Sequence, residues 1–66
     1  MPRTLEELAA LISERDKISF TDAWQAVHDA AEDMKYAFYE GSLERAEDIL
    51  REDLGLEPDY LDLFIF

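Results

Sequence analysis

The chain has 66 residues, 48% hydrophobic and 12% aromatic, and carries seventeen Asp/Glu against six Lys/Arg, a formal net charge of −11 at pH 7. That length holds a single domain, residues 1–66, burying roughly 60% of its extended-chain surface, with little room for the deep enclosed cleft most enzymes need. The apolar share argues against disorder, and the surplus of carboxylates disfavours direct binding to a phosphate backbone.

Cysteine is absent, so no disulfide or thiolate zinc site is expected, as suits a reducing cytosol. No basic-then-apolar leader precedes the first helix. No apolar run approaches the length of about 18 residues that marks a membrane span; the longest is Leu63-Phe64-Ile65-Phe66. The expectation is a cytoplasmic chain without membrane contact.

Punctuation divides the sequence into helices. Thr4-Leu5-Glu6-Glu7 reads as a capping box, with Thr4 accepting from an early backbone N–H and Glu7 reaching back. Leu5, Leu8, Ala9 and Ile12 then recur at helical spacing, Leu11 widens the stripe, and the helix is predicted from Thr4 to Arg15 or Asp16. Ser19 and Thr21 are both candidate caps for a second helix. Its stripe is Phe20, Ala23/Trp24, Val27, Ala30/Ala31, Met34 and Ala37/Phe38, and Gly41 is a natural left-handed stop. Ser42 caps a third helix predicted to bury Leu43, Ala46, Ile49/Leu50 and Leu54 before ending at Gly55. Leu56 is placed to fold back on Leu50 as in a Schellman ending. Pro58 suits the first turn of a short fourth helix with Leu61, Phe64 and Ile65 on one face; an extended tail is the alternative. No segment alternates with the period of a strand. The predicted fold is all-α, a compact bundle of three helices plus a short C-terminal helix.

The charge is unevenly placed. Residues 1–21 hold four acids and three bases, whereas residues 22–66 hold thirteen acids and three bases, a net of −10. On the second helix Asp22, Asp29, Glu32, Asp33 and Glu40 oppose the apolar stripe; on the third, Glu44, Glu47, Asp48 and Glu52 are predicted to point outward. Like charges three or four residues apart cost roughly 0.2–0.5 kcal/mol per pair, and only Lys35, Arg45 and Arg51 are available to relieve them. One use for retained repulsion is mimicry: carboxylates on two adjacent helices approximate a track of phosphates and fit a basic groove built for nucleic acid. Tyr36 and Tyr39 flank this face as candidate anchors. The alternative is a solvated face that only keeps the chain soluble.

With its acidic series Asp22, Asp29, Glu32, Asp33, Glu40, Glu44, Glu47 and Asp48, its size and its lack of cysteine, the chain resembles the small acidic inhibitors encoded by phages and mobile elements. These include anti-restriction proteins, uracil-DNA-glycosylase inhibitors and anti-CRISPR proteins, the last being nearest in length and helical character. The resemblance is one of class and carries no diagnostic motif. It implies a stoichiometric inhibitor in the bacterial host cytosol, lodged in the DNA-binding cleft of a basic protein such as a Cas effector complex. The partner-binding residues would be the eight acids and Tyr36, and the chain is expected to be a monomer. Locally, Gly41-Ser42-Leu43 before an acidic helix is similar to the Asp-Ser-Leu motif of acyl carrier proteins, in which the Ser takes a phosphopantetheine arm; here Gly41 replaces the Asp. An N-cap role for Ser42 accounts for the same residues. A protein-interaction module, an antitoxin or adaptor binding through the aromatic Leu63–Phe66 end, is the remaining alternative.

Catalytic and metal chemistry find little support. His28, the single histidine, lies one turn after Trp24 and one turn before Glu32. A metal site needs three or four ligands, and a histidine packed on Trp24 is the simpler reading. With no cysteine and one histidine, no nucleophile–base–orienter set can be assembled. The expectation is a non-enzymatic protein without cofactor or metal.

Overall fold

A computed structural model describes residues 2–65. It contains helices α1 (Leu5–Asp16), α2 (Phe20–Tyr39) and α3 (Leu43–Leu54), followed by a 3-10 helix (Pro58–Phe64). The all-α bundle with a short last helix is therefore observed, and no strand occurs among the described residues. None of these helices is long and apolar enough to cross a membrane.

Each α-helix starts on a side-chain cap. The Glu7 N–H donates to Thr4 Oγ1 at 3.1 Å, the Asp22 N–H to Ser19 Oγ at 3.1 Å, and the Arg45 N–H to Ser42 Oγ at 3.2 Å. Such caps satisfy amide donors that have no partner inside the helix. Ser19, not Thr21, caps α2. Glu7 does reach back, but one residue beyond the cap: its Oε2 accepts from the Arg3 N–H at 2.6 Å.

The helix ends differ in how their left-handed residue is supplied. Gly41 (φ 75°) and Gly55 (φ 64°) terminate α2 and α3, and glycine meets no Cβ penalty there. The Ser42 N–H donates to the Ala37 carbonyl at 2.9 Å and the Leu56 N–H to the Leu50 carbonyl at 3.3 Å. Leu56 is buried, as the Schellman reading predicts. At the end of α1 a lysine takes the same conformation, Lys17 with φ 56°. The Ser13 carbonyl accepts from the Lys17 and Ile18 amides, and the Ser13 hydroxyl donates to the Ile18 carbonyl at 2.6 Å, closing the turn around it.

α2 is the central element: α1 and α3 both pack on it, and the 3-10 helix lies against α3 and α2. Its inward line is Ala23, Val27, Ala30, Met34 and Ala37, all buried. Three alanines there let neighbouring helices approach closely, and the larger volumes come from Leu8, Ile12, Leu50, Leu54, Leu61 and Phe64. Trp24 and Phe38 sit half-buried at the edge of this core.

Some predicted core positions lie outside. Leu43, in the first turn of α3, is 58% exposed, and Leu11 lies at the solvent edge of α1. Ile65 is exposed while Leu61 and Phe64 are buried. Leu61 and Phe64, three apart at about three residues per turn, share one face of the 3-10 helix, whereas Ile65 follows it in an extended conformation and turns outward. Phe66 lies outside the described residues.

Arg15 joins the two outer helices. Its Nη2 donates to the Leu54 carbonyl at 2.7 Å and its Nη1 to the Gly55 carbonyl at 3.3 Å, while Nε and Nη2 grip both oxygens of Asp16 at 2.8 and 3.0 Å. The last carbonyls of α3, unpartnered within the helix and at the negative end of its dipole, thus receive a cation from α1. The hydrogen bond from Arg15 holds the Asp16 carboxyl below its ordinary pKa, and the same bond raises Arg15 against the opposing effect of its partial burial.

Candidate acidic interaction face

Helical periodicity sorts the residues of α2 into two flanks. At roughly 100° per residue, Asp22, Asp29, Asp33 and Glu40 fall on one line, about a quarter-turn from the buried alanines. Tyr36 adjoins that line and Glu32 lies beyond it, near the outermost edge of the helix. All six are exposed, Tyr36 by 61%. No Lys or Arg interrupts the line from Asp22 to Asp33, and Gln25, whose amide lies 3.4 Å from Asp29 Oδ1, is the nearest polar filler.

The contribution of α3 is more mixed. Glu44 is exposed, whereas Glu47 and Asp48 are half-buried rather than fully outward. Two acids of the predicted series are engaged within the chain: Asp48 pairs with Arg51 at 2.7 Å, and Glu40 lies 3.7 Å from Arg45. Such exposed pairs are individually weak, but each places a positive charge beside a carboxylate. Among the described residues, Asp22, Asp29, Glu32, Asp33, Glu44 and Glu47 have no cation within 4 Å. The structure thus brings the α2 acids together on one flank and leaves Asp48 and the Glu40 end partly compensated.

The opposite flank of α2 is aromatic. Phe20 stacks on Trp24 (centroids 6.1 Å apart, planes at 12°), and Trp24 meets His28 at 4.4 Å with planes at 57°. The histidine is therefore an exposed residue resting on an indole, and no group of three or more metal-ligating side chains occurs among the described residues. Farther along, Lys35, Phe38 and Tyr39 form a groove with Phe64 and Ile65 of the chain end. Tyr39, 79% exposed, belongs to this groove and not to the acidic line. Tyr36 adjoins the acidic line while Tyr39, three residues on, lines the groove. Ser42 acts as the N-cap of α3, its Oγ accepting from the Arg45 amide.

No protein-family model, curated protein or solved structure matches this chain.

Proposed function

We propose that the chain is a non-enzymatic inhibitor that occupies the nucleic-acid groove of a basic bacterial protein with its acidic helical face. A Cas effector complex, blocked from its target DNA as by an anti-CRISPR protein, is the favoured target. The carrying observation is the uninterrupted, exposed line Asp22–Asp29–Asp33 on α2, with Glu32 and Tyr36 beside it.

Magnitudes favour imitation of one DNA strand over a duplex. From Asp22 to Glu40 the helix rises about 27 Å at about 1.5 Å per residue. One strand of B-DNA presents about eight phosphates over that distance, at about 3.4 Å of axis each. Asp22, Asp29, Glu32, Asp33 and Glu40 supply five carboxylates over that rise, and Glu44, Glu47 and Asp48 add three more from α3, outside it. The nearby Arg45 and Arg51 offset two of these, so the face carries rather less charge than a single strand. Positioning on the helix exchanges charge density for rigidity, and steering by the −11 net charge raises the encounter rate with a basic groove.

The test is affinity capture from a bacterial host cytosol with the natural chain and with a variant carrying Asp22→Asn, Asp29→Asn, Glu32→Gln and Asp33→Asn. The natural chain should retain a nucleic-acid-binding protein that short duplex DNA or raised salt elutes, and the neutral variant should not. Equal capture by both chains would overturn the reading.

A further inference from the structure

The groove at the junction of α2 and the 3-10 helix is a second surface, apart from the acidic face. Its volume is about 640 Å³, within the usual range of roughly 300–1,000 Å³ for small binding sites. Phe64, buried, forms its floor; Phe38 is half-buried; Tyr39 and Ile65 stand 79% and 53% exposed. Exposed apolar side chains converging on one concavity mark a contact site better than the same residues scattered. The Phe20–Trp24–His28 column lies earlier on the same flank and takes no part in the lining of the groove.

Lys35 gives the groove its chemical preference. Among the described residues its ammonium has no carboxylate within 4 Å, whereas Arg15, Arg45 and Arg51 each have one in Asp16, Glu40 and Asp48. Glu32, three residues earlier, is an acid on the same helix and still makes no pair with it. The Asp22–Asp33 line lies across α2, a helix about 10–12 Å in diameter. At physiological salt, charges beyond about 8 Å are largely screened, and Lys35 is the charged side chain among the residues that line the groove.

We propose that this groove docks a peptide segment of a partner protein in which an Asp or Glu stands beside a large aliphatic or aromatic side chain. The apolar side chain fills the space between Phe38, Tyr39 and Ile65, and the carboxylate pairs with Lys35. A second copy of the chain is a poorer occupant. It brings its own −11 charge, and the few exposed apolar residues here fall short of the roughly 800 Å² per partner that a stable interface buries.

The probe is a displayed library of random twelve-residue peptides selected on the intact chain, with Tyr39→Ala used for counter-selection. Both Tyr39 and Lys35 are exposed, so their variants should keep the natural helical circular dichroism. Selected peptides should share Asp or Glu next to Leu, Ile, Phe or Trp, and should shift the backbone amide resonances of Lys35, Phe38, Tyr39 and Ile65. Replacing the peptide's acid by its amide should weaken binding about three- to tenfold on the natural chain and less than twofold on Lys35→Gln. Four results would overturn the proposal: no enriched peptide, a basic consensus, selection indifferent to Tyr39→Ala, or equal loss on both chains. So would shifts at the same amides from sodium decanoate alone, which would make the groove a site for small amphiphiles. Peptide binding that appears only in a chain lacking Phe66 would show the chain covering its own groove.

Discussion

Arg15 donates to the carbonyl oxygen of Leu54 at 2.7 Å, across 39 residues of sequence. The bond ties α1 to the far end of α3, two helices otherwise joined mainly through α2. Arg15→Ala should lower stability by about 1 kcal/mol, the scale of a part-buried hydrogen bond discounted for exposure. In a domain this small that corresponds to a fall in Tm of about 4–8 °C. Arg15→Lys should recover only part of it, because an ammonium cannot hold Asp16 and two carbonyls in the fixed fork of a guanidinium. Thermal denaturation of the three chains measures both effects.

Asp16 contributes a pH-dependent share of the same contact. Its folded pKa lies below the ordinary value of 3.8 because Arg15 donates to it and then attracts it by charge. A depressed pKa means that the stabilisation is fully present above the unfolded value and is lost as pH falls through the folded one. The difference in urea midpoint between the natural chain and Asp16→Asn should therefore be constant near neutrality and vanish on acidification below the carboxylate range. Comparison with the variant is needed because protonation toward the pI of about 4.1 also relieves the chain's self-repulsion. A difference that persists at pH 2 would place the effect of Asp16 outside ionisation.

Lys17 and Gly41 hold the same left-handed conformation at the ends of α1 and α2. Lys17→Gly should stabilise the chain by up to about 1 kcal/mol, the lower part of the left-handed penalty for a residue with Cβ, reduced by glycine's greater freedom when unfolded. Gly41→Ala should destabilise by about 1 kcal/mol even though no atom lies within 4 Å of the added methyl, since the strain is in the backbone. Opposite signs in chemical denaturation are the expected result.

The alanines of α2 should tolerate enlargement poorly. Ala30 is 1% exposed, and Ala30→Leu should cost about 1–3 kcal/mol through overpacking. Leu43→Ala, at a position 58% exposed, should change stability by no more than about 0.5 kcal/mol. Urea titrations of the two variants give the contrast, which reverses the expectation that Leu43 belongs to the core.

Much of this architecture is written locally. Thr4, Ser19, Ser42, Gly41 and Gly55 delimit the helices through bonds spanning only a few residues, so caps and stops can be read without knowing the fold. Lys17 ends α1 without any residue type that advertises a left-handed turn. The exposure of Leu43, in the first turn of α3, and of Ile65, extended after the 3-10 helix, is not visible in an apolar pattern. Likewise, the acidic series was legible as composition and spacing. Its compensation at Glu40 and Asp48 depends on the reach of Arg45 and Arg51, and the groove joins residues from α2 to others about 25 positions later.

The azimuth of α2 is set by small residues on the inside, while its carboxylates make no contact that the core needs. Replacing Asp29 or Asp33 therefore leaves the helix pointing the same way, while Asp22 in the first turn also complements the helix N-terminus. The acids at Asp29 and Asp33 can be exchanged at little cost to folding, whereas a bulky change at the buried Ala23, Ala30 or Ala37 would disturb the packing that sets the bearing of the acidic line. The protein is a fixed mount with an exchangeable front.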